Sequence, residues 1–339
     1  MRKILVTGGA GYIGCHTIVE LVSAGYEPII IDNYSNSDKS VLEKLDIITG
    51  KEIIAYEADC ADVAALRKIF KENNISGVIH FAAYKAVGES VDEPLKYYDN
   101  NLVSLIRLLE VMIEFKVINF VFSSSCTVYG QPEKLPVAED APVQQATSPY
   151  GYTKQVSEQI IMDVIKSGAD IKAVLLRYFN PIGAHPSGLI GELPLGVPNN
   201  LVPFITQTGA GLRVKLKVFG SDYQTPDGTC IRDYIHVSDL ANAHVKAFDW
   251  LEKTQNKLGV FNVGTGNGNS VLDVIHSFEK VSGKKLNYTM TDRRPGDVEQ
   301  IWASADKAEN ELKWRARYSL DDALTHAWKW QQNLGKNHR

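Results

Sequence analysis

The residues best suited to catalysis are a tyrosine and a lysine four positions apart, Tyr150 and Lys154. In a helix this spacing puts both side chains on one face. A free phenol has a pKa near 10 and is a poor base at neutral pH, but a nearby ammonium group favours the phenolate. Because a Tyr-x-x-x-Lys pair arises roughly once by chance in a chain of this composition, its place in the fold must carry the argument.

Three consecutive serines, Ser123 to Ser125, follow the apolar run at residues 120–122. Active-site residues of a doubly wound sheet collect at the carboxyl ends of its strands. A hydroxyl there could bridge Tyr150 to a substrate hydroxyl, or it could simply satisfy backbone groups at the strand end. Next to a cofactor site and Tyr150, we favour the catalytic role, with Ser125 as the bridging residue.

Short apolar runs alternate with helical stretches through the first half of the chain, which predicts an α/β fold with a doubly wound parallel sheet, Rossmann-like. After residue 180 glycine and proline become dense and this alternation ends. We therefore predict an NAD-binding domain at residues 1–180 and a smaller mixed α/β substrate domain at 181–339, with segments returning to the first. The predicted strands are 4–7, 29–31, 53–56, 78–81, 120–122 and 173–176, and the predicted helices are 12–24, 40–48, 61–72, 94–115 and 148–166.

A glycine-rich turn, with Gly8, Gly11 and Gly14, lies between the first predicted strand and the first predicted helix. Glycines at such a turn let the backbone approach a pyrophosphate, which then sits on the helix N-terminus. Asp32 ends the second strand, where a carboxylate accepts hydrogen bonds from an adenosine ribose and repels a 2′-phosphate, so we predict NAD rather than NADP. The cofactor should continue past residues that could also be plain core packing: Asp59, Cys60, Phe81, Ala82 and Ala83.

Composition excludes several classes of protein. The net charge is −4 and no long basic run is present, so neither nucleic acid nor an acidic membrane is the expected partner. No apolar stretch of about 18 residues could span a bilayer. Four cysteines without CxxC spacing predict a reducing, cytoplasmic location. The eight histidines show no metal-ligand spacing, so no metal is expected, and His236 is interpreted as a packed or capping residue.

Longer motifs follow one another in order from residue 7 to residue 314. Together they resemble the UDP-glucose (UDP-galactose) 4-epimerases, a branch of the extended short-chain dehydrogenases. The resemblance is carried by TGGAGYIG at 7–14, KAVGES at 85–90, YYDNN at 97–101, SSSCTVYG at 123–130, SPYG at 148–151, RYFNP at 177–181, PNN at 198–200, RDYIHV at 232–237 and RRPGD at 293–297.

This resemblance implies a reaction. Tyr150, as phenolate, takes the proton of the sugar 4-hydroxyl while C4 gives its hydride to tightly bound NAD. The resulting 4-keto sugar turns over in the pocket and takes the hydride back on its other face. Ser125 would hydrogen-bond the 4-oxygen, and Lys154 would bind the nicotinamide ribose and tune Tyr150. The substrates would be UDP-galactose and UDP-glucose.

The resemblance also assigns binding residues. Arg232 and Arg294 would clamp the diphosphate, and Asp297 would accept the uridine ribose. Further cofactor contacts would come from Tyr12, Ile13, Asn33, Lys85, Asn100, Ser123 and Tyr178. Further substrate contacts would come from Lys85, Thr127, Phe179, Asn180, Asn199, Asn200, Leu201, Val218 and Phe219. A homodimer would form through the helices at 94–115 and 148–166.

The sequence departs from the family pattern at two positions. Cys126 stands where the family often has alanine, and a buried cysteine behaves as a small hydrophobe. Ile301 stands where some members have tyrosine and others a small residue, at a position that gates access for an N-acetyl group. We therefore expect UDP-glucose and UDP-galactose to be preferred and N-acetylated sugars to be at best partial substrates.

Two other functions remain open at this point. A sugar-nucleotide 4,6-dehydratase or decarboxylase on the same scaffold would also oxidise C4. Dehydratases carry an Asp-Glu pair after the active-site Ser or Thr, whereas Cys126 and Thr127 follow Ser125 here. A non-enzymatic NAD-sensing regulator could lose the Tyr/Lys pair, whereas this chain retains both residues.

Overall fold

The computed structural model describes residues 1–294 and 296–337, so that Pro295 of the RRPGD motif lies outside the described residues. The strands are β1 Lys3–Thr7, β2 Glu27–Asp32, β3 Ile54–Glu57, β4 Ile75–His80, β5 Asn119–Ser125, β6 Lys172–Tyr178, β7 Asn180–Ile182, β8 Leu216–Phe219, β9 Ile231–Arg232, β10 Tyr234–His236, β11 Leu258–Val263, β12 Asn269–Ser270, β13 Tyr288–Thr291 and β14 Gln300–Ile301.

The main sheet has seven strands in the order β11-β6-β5-β4-β1-β2-β3. Every neighbouring pair in it is parallel. The order reverses between β1 and β4, and a crevice opens at such a switch point outside the carboxyl ends of the strands. The predicted α/β fold is confirmed, and its geometry places a ligand next to the ends of β1, β4 and β5.

Helices cover both faces of this sheet and bury two separate apolar clusters against it. Several predicted boundaries differ from the structure by two or three residues. The predicted strand 78–81 begins at Ile75. The predicted helix 61–72 begins at Val63, because the Asp62 side chain accepts hydrogen bonds from the Ala64 and Ala65 nitrogens and caps the helix. The helices are α1 Tyr12–Ser23, α2 Ser40–Thr49, α3 Val63–Glu72, α4 Val87–Asp92, α5 Pro94–Tyr98, α6 Ser104–Glu114, α7 Pro149–Lys166, α8 Leu201–Gly209, α9 Val237–Lys253, α10 Val271–Ser282 and α11 Leu320–Asn337.

The predicted helix at 94–115 is interrupted. Between α5 and α6 the chain forms a π-helical turn at Asp99–Val103. The Asn100 carbonyl accepts from the Ser104 backbone N–H and also from the Ser104 hydroxyl, the latter at 2.6 Å. Such turns frequently occur at functional sites. Here the turn presents Asn100 to the cavity described below.

After residue 180 the chain builds a separate small core among β8, β13, α8, α10 and α11. This part of the chain is not confined to the small core, because α9 packs against α1 and β11 pairs with β6 at the edge of the main sheet. The division at residue 180 stays a prediction. Within residues 1–294 and 296–337, we find no helix whose length and apolar character would let it cross a membrane.

Candidate active site

One large cavity, of about 1140 Å³, lies along the carboxyl ends of β1, β2, β4, β5 and β6. Single small-molecule pockets usually measure about 300–1,000 Å³, so this cavity has room for more than one ligand. Residues from the glycine-rich turn line one part of it, and Tyr150 and Lys154 line another. The fold therefore joins the two patterns singled out in the sequence.

The glycine-rich turn is closely packed. Gly8 has a φ of +65°, which favours glycine, and a Cβ there would lie 2.9 Å from the Ala82 nitrogen. A Cβ on Gly14 would lie 2.3 Å from the Gly8 oxygen. Gly11 begins α1 with no side chain capping the helix, so the first backbone N–H groups of α1 lack a side-chain partner. This arrangement suits an anionic group such as pyrophosphate.

Asp32 lies at the end of β2 on the same side of the sheet. Its two carboxylate oxygens accept hydrogen bonds from the Ala10 nitrogen at 3.0 Å and from the Tyr34 nitrogen at 2.9 Å. The carboxylate is therefore held against the glycine-rich turn. The Ser37 hydroxyl also donates to Oδ1, at 2.9 Å. Because a carboxylate can accept about four hydrogen bonds, capacity remains for one ligand hydroxyl.

Tyr150 is positioned by the start of α7. The Ser148 side chain accepts from the Gly151 nitrogen at 3.1 Å and caps the helix, which places Tyr150 in its first turn. One turn further on, Lys154 Nζ donates to the Ser123 carbonyl at 2.7 Å. The same Nζ lies 5.9 Å from the centre of the Tyr150 ring. Tyr150 and Lys154 therefore lie on one face of α7, as predicted, and this face contacts the predicted serines at the end of β5.

The electrostatics of the protein alone oppose a phenolate. Burial raises the pKa of Tyr150 to about 12, and a hydrogen bond from Ser125 acts in the other direction. Burial also lowers the pKa of Lys154 to about 8, which the Glu158 carboxylate opposes. Tyr150 can thus act as a base near neutral pH only when Lys154 is charged and further positive charge is brought to the cavity.

Ser125 is oriented by its own turn. Its Oγ accepts from the Thr127 nitrogen at 3.2 Å, so its hydroxyl proton is free to point elsewhere. Ser125 lies close enough to Tyr150 to lower the pKa of the phenol, and both side chains line the cavity. The hydroxyl and the phenol thus meet at one point of the cavity.

The π-helical turn is attached to α7 through Asn101. Its side chain accepts from the Tyr84 nitrogen at 2.8 Å and donates to the Thr153 hydroxyl at 3.2 Å. Thr153 lies between Tyr150 and Lys154 on α7. The wall that carries Lys85 and Asn100 is therefore connected directly to the helix that carries the candidate base.

The structure brings the predicted cofactor residues together, since all of them line the cavity. Of the predicted substrate residues, seven line it as well: Lys85, Ser125, Tyr150, Phe179, Asn180, Asn199 and Asn200. The cofactor residues at its wall are Gly8, Gly11, Tyr12, Ile13, Gly14, Asp32, Asn33, Asp59, Cys60, Phe81, Ala82, Ala83, Lys85, Asn100, Ser123, Tyr150, Lys154 and Tyr178.

The other predicted substrate residues lie outside the cavity wall. Three of them form a charged cluster: Arg294 Nη2 donates to Asp297 Oδ1 at 2.8 Å, and Arg232 Nη2 lies 3.9 Å from the same oxygen. The cluster adjoins the site because Arg232 acts electrostatically on Cys126, the residue after Ser125. Phe219 lies under the Arg294 guanidinium, 5.7 Å from its carbon to the ring centre.

The remaining predicted substrate residues differ in exposure. Val218 is 1% exposed in the small core, so its side chain is not available to a ligand. Ile301 is 4% exposed and packs with Phe179, which itself reaches the cavity. Leu201 begins α8, directly after Asn200. Thr127 has a buried hydroxyl that finds no hydrogen-bond partner among the residues that the structure describes.

Many residues of the cavity wall were not predicted, and Glu192 and Trp330 are two that make polar contacts there. The Glu192 carboxylate lies 3.5 Å from Lys85 Nζ and accepts from Asn200 Nδ2 at 2.6 Å. Trp330, on α11, donates its indole N–H to the Glu192 carbonyl at 3.0 Å. A carboxylate inside a Gly/Pro-rich segment was the one available signal for Glu192. Nothing in the helical pattern of α11 distinguishes Trp330 from a core residue.

His236 caps α9, since its Nδ1 accepts from the Ser238 nitrogen at 3.0 Å. No group of three or more metal-ligating side chains converges in the part of the chain that the structure describes.

Comparisons with known proteins place this site in a family. A family model described as GDP-mannose 4,6 dehydratase matches residues 5–327. The UDP-glucose 4-epimerase of Bacillus subtilis is 53% identical over 332 residues, which cover 97% of each chain. The family model is named after a dehydratase, whereas this relative, at 53% identity, is an epimerase.

Solved structures agree with that relative. The UDP-glucose-4-epimerase of Stenotrophomonas maltophila, with bound NAD and formylated UDP-arabinopyranose, has a TM-score of 0.97 and 46% identity, covering 99% of this chain and 100% of the other. The Bifidobacterium longum UDP-glucose 4-epimerase, in complex with NAD+ and UDP, has a TM-score of 0.95 and 48% identity, covering 98% of both chains. With this identity and coverage, and with Tyr150, Lys154 and Ser125 brought together at the ends of its parallel strands, the chain belongs to the UDP-glucose 4-epimerase family.

Proposed function

We propose that this protein interconverts UDP-galactose and UDP-glucose by reversible, NAD-mediated oxidation at C4 through a 4-keto intermediate. The observation that carries the proposal is the meeting of Tyr150, Ser125 and Lys154 at the strand ends of one cavity. The glycine-rich turn lines the same cavity, next to them. This is the arrangement that a sugar oxidation coupled to a dinucleotide requires.

The residues present fit NAD. The close packing at Gly8 and Gly14 leaves backbone, not side chain, facing the cavity where a pyrophosphate would lie. Asp32 would accept the adenosine ribose, and Lys154 would bind the nicotinamide ribose. When bound, the oxidised nicotinamide supplies a hydride acceptor. It also brings the positive charge that the site needs.

The chain's own residues handle the proton. Tyr150 would take it from the sugar 4-hydroxyl and return it, while Ser125 holds the 4-oxygen within reach of the phenol. Lys154 favours the phenolate, because a cation within about 4–6 Å stabilises the charged form. The cavity volume leaves room for the keto sugar to turn between the two hydride transfers.

We propose that one group of residues anchors the nucleotide of the substrate and that another acts on its sugar. Arg232 and Arg294 would hold the diphosphate, and Asp297, which orients both guanidinium groups, would accept the uridine ribose. Binding energy from this non-reacting part can retain the intermediate while the sugar stays loosely held. The position of the cluster beside Cys126, outside the cavity wall, supports this division.

The decisive experiment is incubation of the purified protein with UDP-galactose and no added NAD. We expect UDP-glucose of unchanged mass to form from cofactor retained through purification. A product that has lost water would identify a 4,6-dehydratase. Because UDP-galactose has no carboxylate to lose, a decarboxylase would be identified by release of carbon dioxide in a parallel incubation with a UDP-uronate. No product, with NAD bound, would favour a regulator that only senses the cofactor.

Gly14→Ala tests the cofactor site. The new Cβ would meet the Gly8 backbone oxygen at 2.3 Å, and a backbone atom cannot turn away as a side chain does. We expect far less NAD per purified chain and a free energy of unfolding lower by about 1–3 kcal/mol. Released NAD and a denaturant titration would measure both. Gly88→Ala, where a Cβ meets nothing within 4 Å, is the control and should keep full NAD content.

Ile301 is proposed to limit the size of the sugar substituent. We expect wild-type kcat/KM for UDP-N-acetylglucosamine to be at least about tenfold below that for UDP-glucose. Ile301→Ala should narrow this gap, because it removes bulk from the cluster behind Phe179. Ile301→Val is the control and should keep the wild-type preference. Equal turnover of the two sugars by wild type would overturn the assignment.

We also propose a homodimer formed through α6 and α7 with the segments that precede them. Exposed apolar side chains on these elements support it, namely Leu95, Ile106, Ile113 and Tyr152. Light scattering of the purified protein should give twice the chain mass, and the mass of a single chain would disprove the proposal.

A cytoplasmic location is the last element of the proposal. All four cysteines are free thiols, which suits a reducing compartment. Fractionation of cells that express the protein would test this, since recovery in a secreted or membrane fraction would contradict it.

A further inference from the structure

A buried ion pair lies directly beneath Lys154. Glu158 follows Lys154 by four residues on α7, so the two side chains share one face of the helix. Arg177 donates to both Glu158 oxygens, from Nε at 3.0 Å and from Nη2 at 2.7 Å. Lys154, Glu158 and Arg177 are 5%, 3% and 6% exposed. Buried pairs add little net stability over apolar residues of similar size, so stability alone does not explain this one.

The pair is joined to the serines at the end of β5. The Ser124 hydroxyl donates to Glu158 Oε1 at 2.5 Å. The adjacent residue, Ser123, accepts from Lys154 Nζ at 2.7 Å. In the parallel ladder, Ser124 lies opposite Arg177. Glu158 and Lys154 are therefore attached to neighbouring residues of the strand that also carries Ser125.

Arg177 is fixed on its other side as well. Its Nη1 donates to the Tyr129 hydroxyl at 2.9 Å and to the Glu139 carbonyl at 3.2 Å. The Tyr129 hydroxyl in turn donates to Asn262 Oδ1 at 2.7 Å. The guanidinium thus has partners in several directions and cannot move away from Glu158 without breaking them.

Glu158 is the carboxylate that acts on Lys154 among the described residues. Burial lowers the pKa of Lys154 to about 8, and Glu158 opposes that fall. Burial lowers the pKa of His80, on β4, to about 3, so that the imidazole is neutral beside Lys154. Burial also raises the pKa of Tyr178, on β6, and that of Tyr97, on α5, so that these phenols face Tyr150 uncharged. Cys126, which also acts on Tyr150, has a thiol pKa raised by burial to about 12.

We propose that Glu158 is a positioning residue for the epimerase reaction. Its carboxylate, fixed by Arg177 and Ser124, keeps the Lys154 ammonium charged and seated on the Ser123 carbonyl. The inference rests on the proposed function, in which Lys154 must be a cation for Tyr150 to act as a base. It assigns a purpose to the ion pair that cofactor and substrate contacts leave unexplained.

Glu158→Gln keeps the shape of the side chain and removes its charge. Lys154 then loses its carboxylate and faces the Arg177 guanidinium, which cannot lose its proton. The pKa of Lys154 should fall, so the alkaline limb of the kcat profile should move about 1–3 pH units lower. Glu158→Asp keeps the charge and changes the geometry. It should lower kcat and leave the alkaline limb in place.

Two measurements on the full-length, NAD-bound protein decide the matter. The first is kcat for UDP-galactose across the pH range in which each variant stays folded. The second is the phenolate absorbance of Tyr150, taken as the difference from Tyr150→Phe, which does not depend on turnover. If Glu158→Gln lowers kcat by the same factor at every pH, and both limbs of its pH profile coincide with those of the wild type, Glu158 has only a structural role and the inference is wrong.

Removing one partner of a buried pair typically costs about 3–5 kcal/mol, so the single variant could fail to fold. The double variant Glu158→Gln with Arg177→Met removes both members of the ion pair, so no buried guanidinium is left without a carboxylate. It should still move the alkaline limb to lower pH, by less than the single variant, because the carboxylate beside Lys154 is gone. An unmoved limb in the double variant would equally overturn the inference. Absence of turnover by the wild type would instead refute the proposed function, while the phenolate titration would still report on Glu158.

Discussion

Tyr150→Phe is expected to lower kcat for UDP-galactose by about 10²–10⁴-fold, the usual contribution of a general acid–base group. The phenol is the group that Ser125 contacts and that shares a helix face with Lys154. Loss of its oxygen removes the proton acceptor and leaves the ring that packs in the wall. The NAD content of the purified variant, measured beside kcat, should remain at the wild-type level.

Tyr152→Phe is the matched control, because Tyr152 lies two residues further on the same helix and its side chain is exposed. It should retain kcat within about twofold, as is usual for surface substitutions away from a site. Near-wild-type activity of Tyr150→Phe would mean that the phenol takes no part in the reaction. The assignment of Tyr150 as base, and the mechanism built on it, would then fail.

Lys154→Met is expected to lower kcat near neutral pH by about 10–10³-fold, because one cation within reach shifts a phenol pKa by about one to three units. The sign follows from Tyr150, because burial raises the pKa of this phenol to about 12 and a neighbouring cation favours its charged form. Loss of the ammonium raises the pKa of the catalytic phenol, so its phenolate forms only at higher pH. The deficit of the variant should therefore shrink as pH rises, and the two pH profiles should converge on the alkaline side.

Lys154→Arg provides the comparison, since it keeps a permanent charge but changes the contact with the Ser123 carbonyl. It should show a smaller deficit than Lys154→Met near neutral pH, and its alkaline limb should lie well above that of the wild type, because a guanidinium does not lose its proton. A constant deficit of Lys154→Met at all pH values would show that Lys154 contributes binding and not tuning of Tyr150. A separate measurement of NAD retention would distinguish these two contributions.

Six of the seven strands of the main sheet could be predicted from the sequence, because most of them are short apolar runs between turn signals. The edge strand β11 was missed, since it lies after residue 180, where the regular alternation of strands and helices ends. Ile4-Leu5-Val6 and Phe120-Val121-Phe122 are buried strands of that kind. The cofactor half of the site followed for the same reason, since Gly8, Asp32 and Ser123 lie where strands end. In a parallel sheet, residues that end successive strands in the sequence lie at the same edge of the sheet.

The substrate half does not follow from periodicity. Arg232 and Arg294 are 62 residues apart and meet only because each contacts Asp297. The resemblance to the family named them, whereas no spacing in the sequence could have paired them. The burial of Val218 likewise depends on the packing of β8 against β13, which no local pattern reveals.

The ion pair of Glu158 and Arg177 was missed, although a signal existed. Arg177 interrupts the apolar run of β6, and Glu158 follows Lys154 at helical spacing. A charged residue inside a buried strand requires a partner, because an unpaired buried charge is costly. The sequence cannot say which carboxylate pairs with it, since that depends on how α7 crosses β5 and β6.

The π-helical turn at Asp99–Val103 constrains the number of residues in this segment more strongly than it constrains which residues they are. Each residue of an α-helix turns the chain by about 100°. Upstream of the turn Tyr97 is buried towards the cavity, and downstream Leu105 and Leu108 enter the core under the sheet. Deleting a single residue would rotate one of these faces out of place, whereas exchanging a side chain would not. Functional variants of the gene should therefore carry insertions or deletions in this segment much more rarely than amino-acid substitutions.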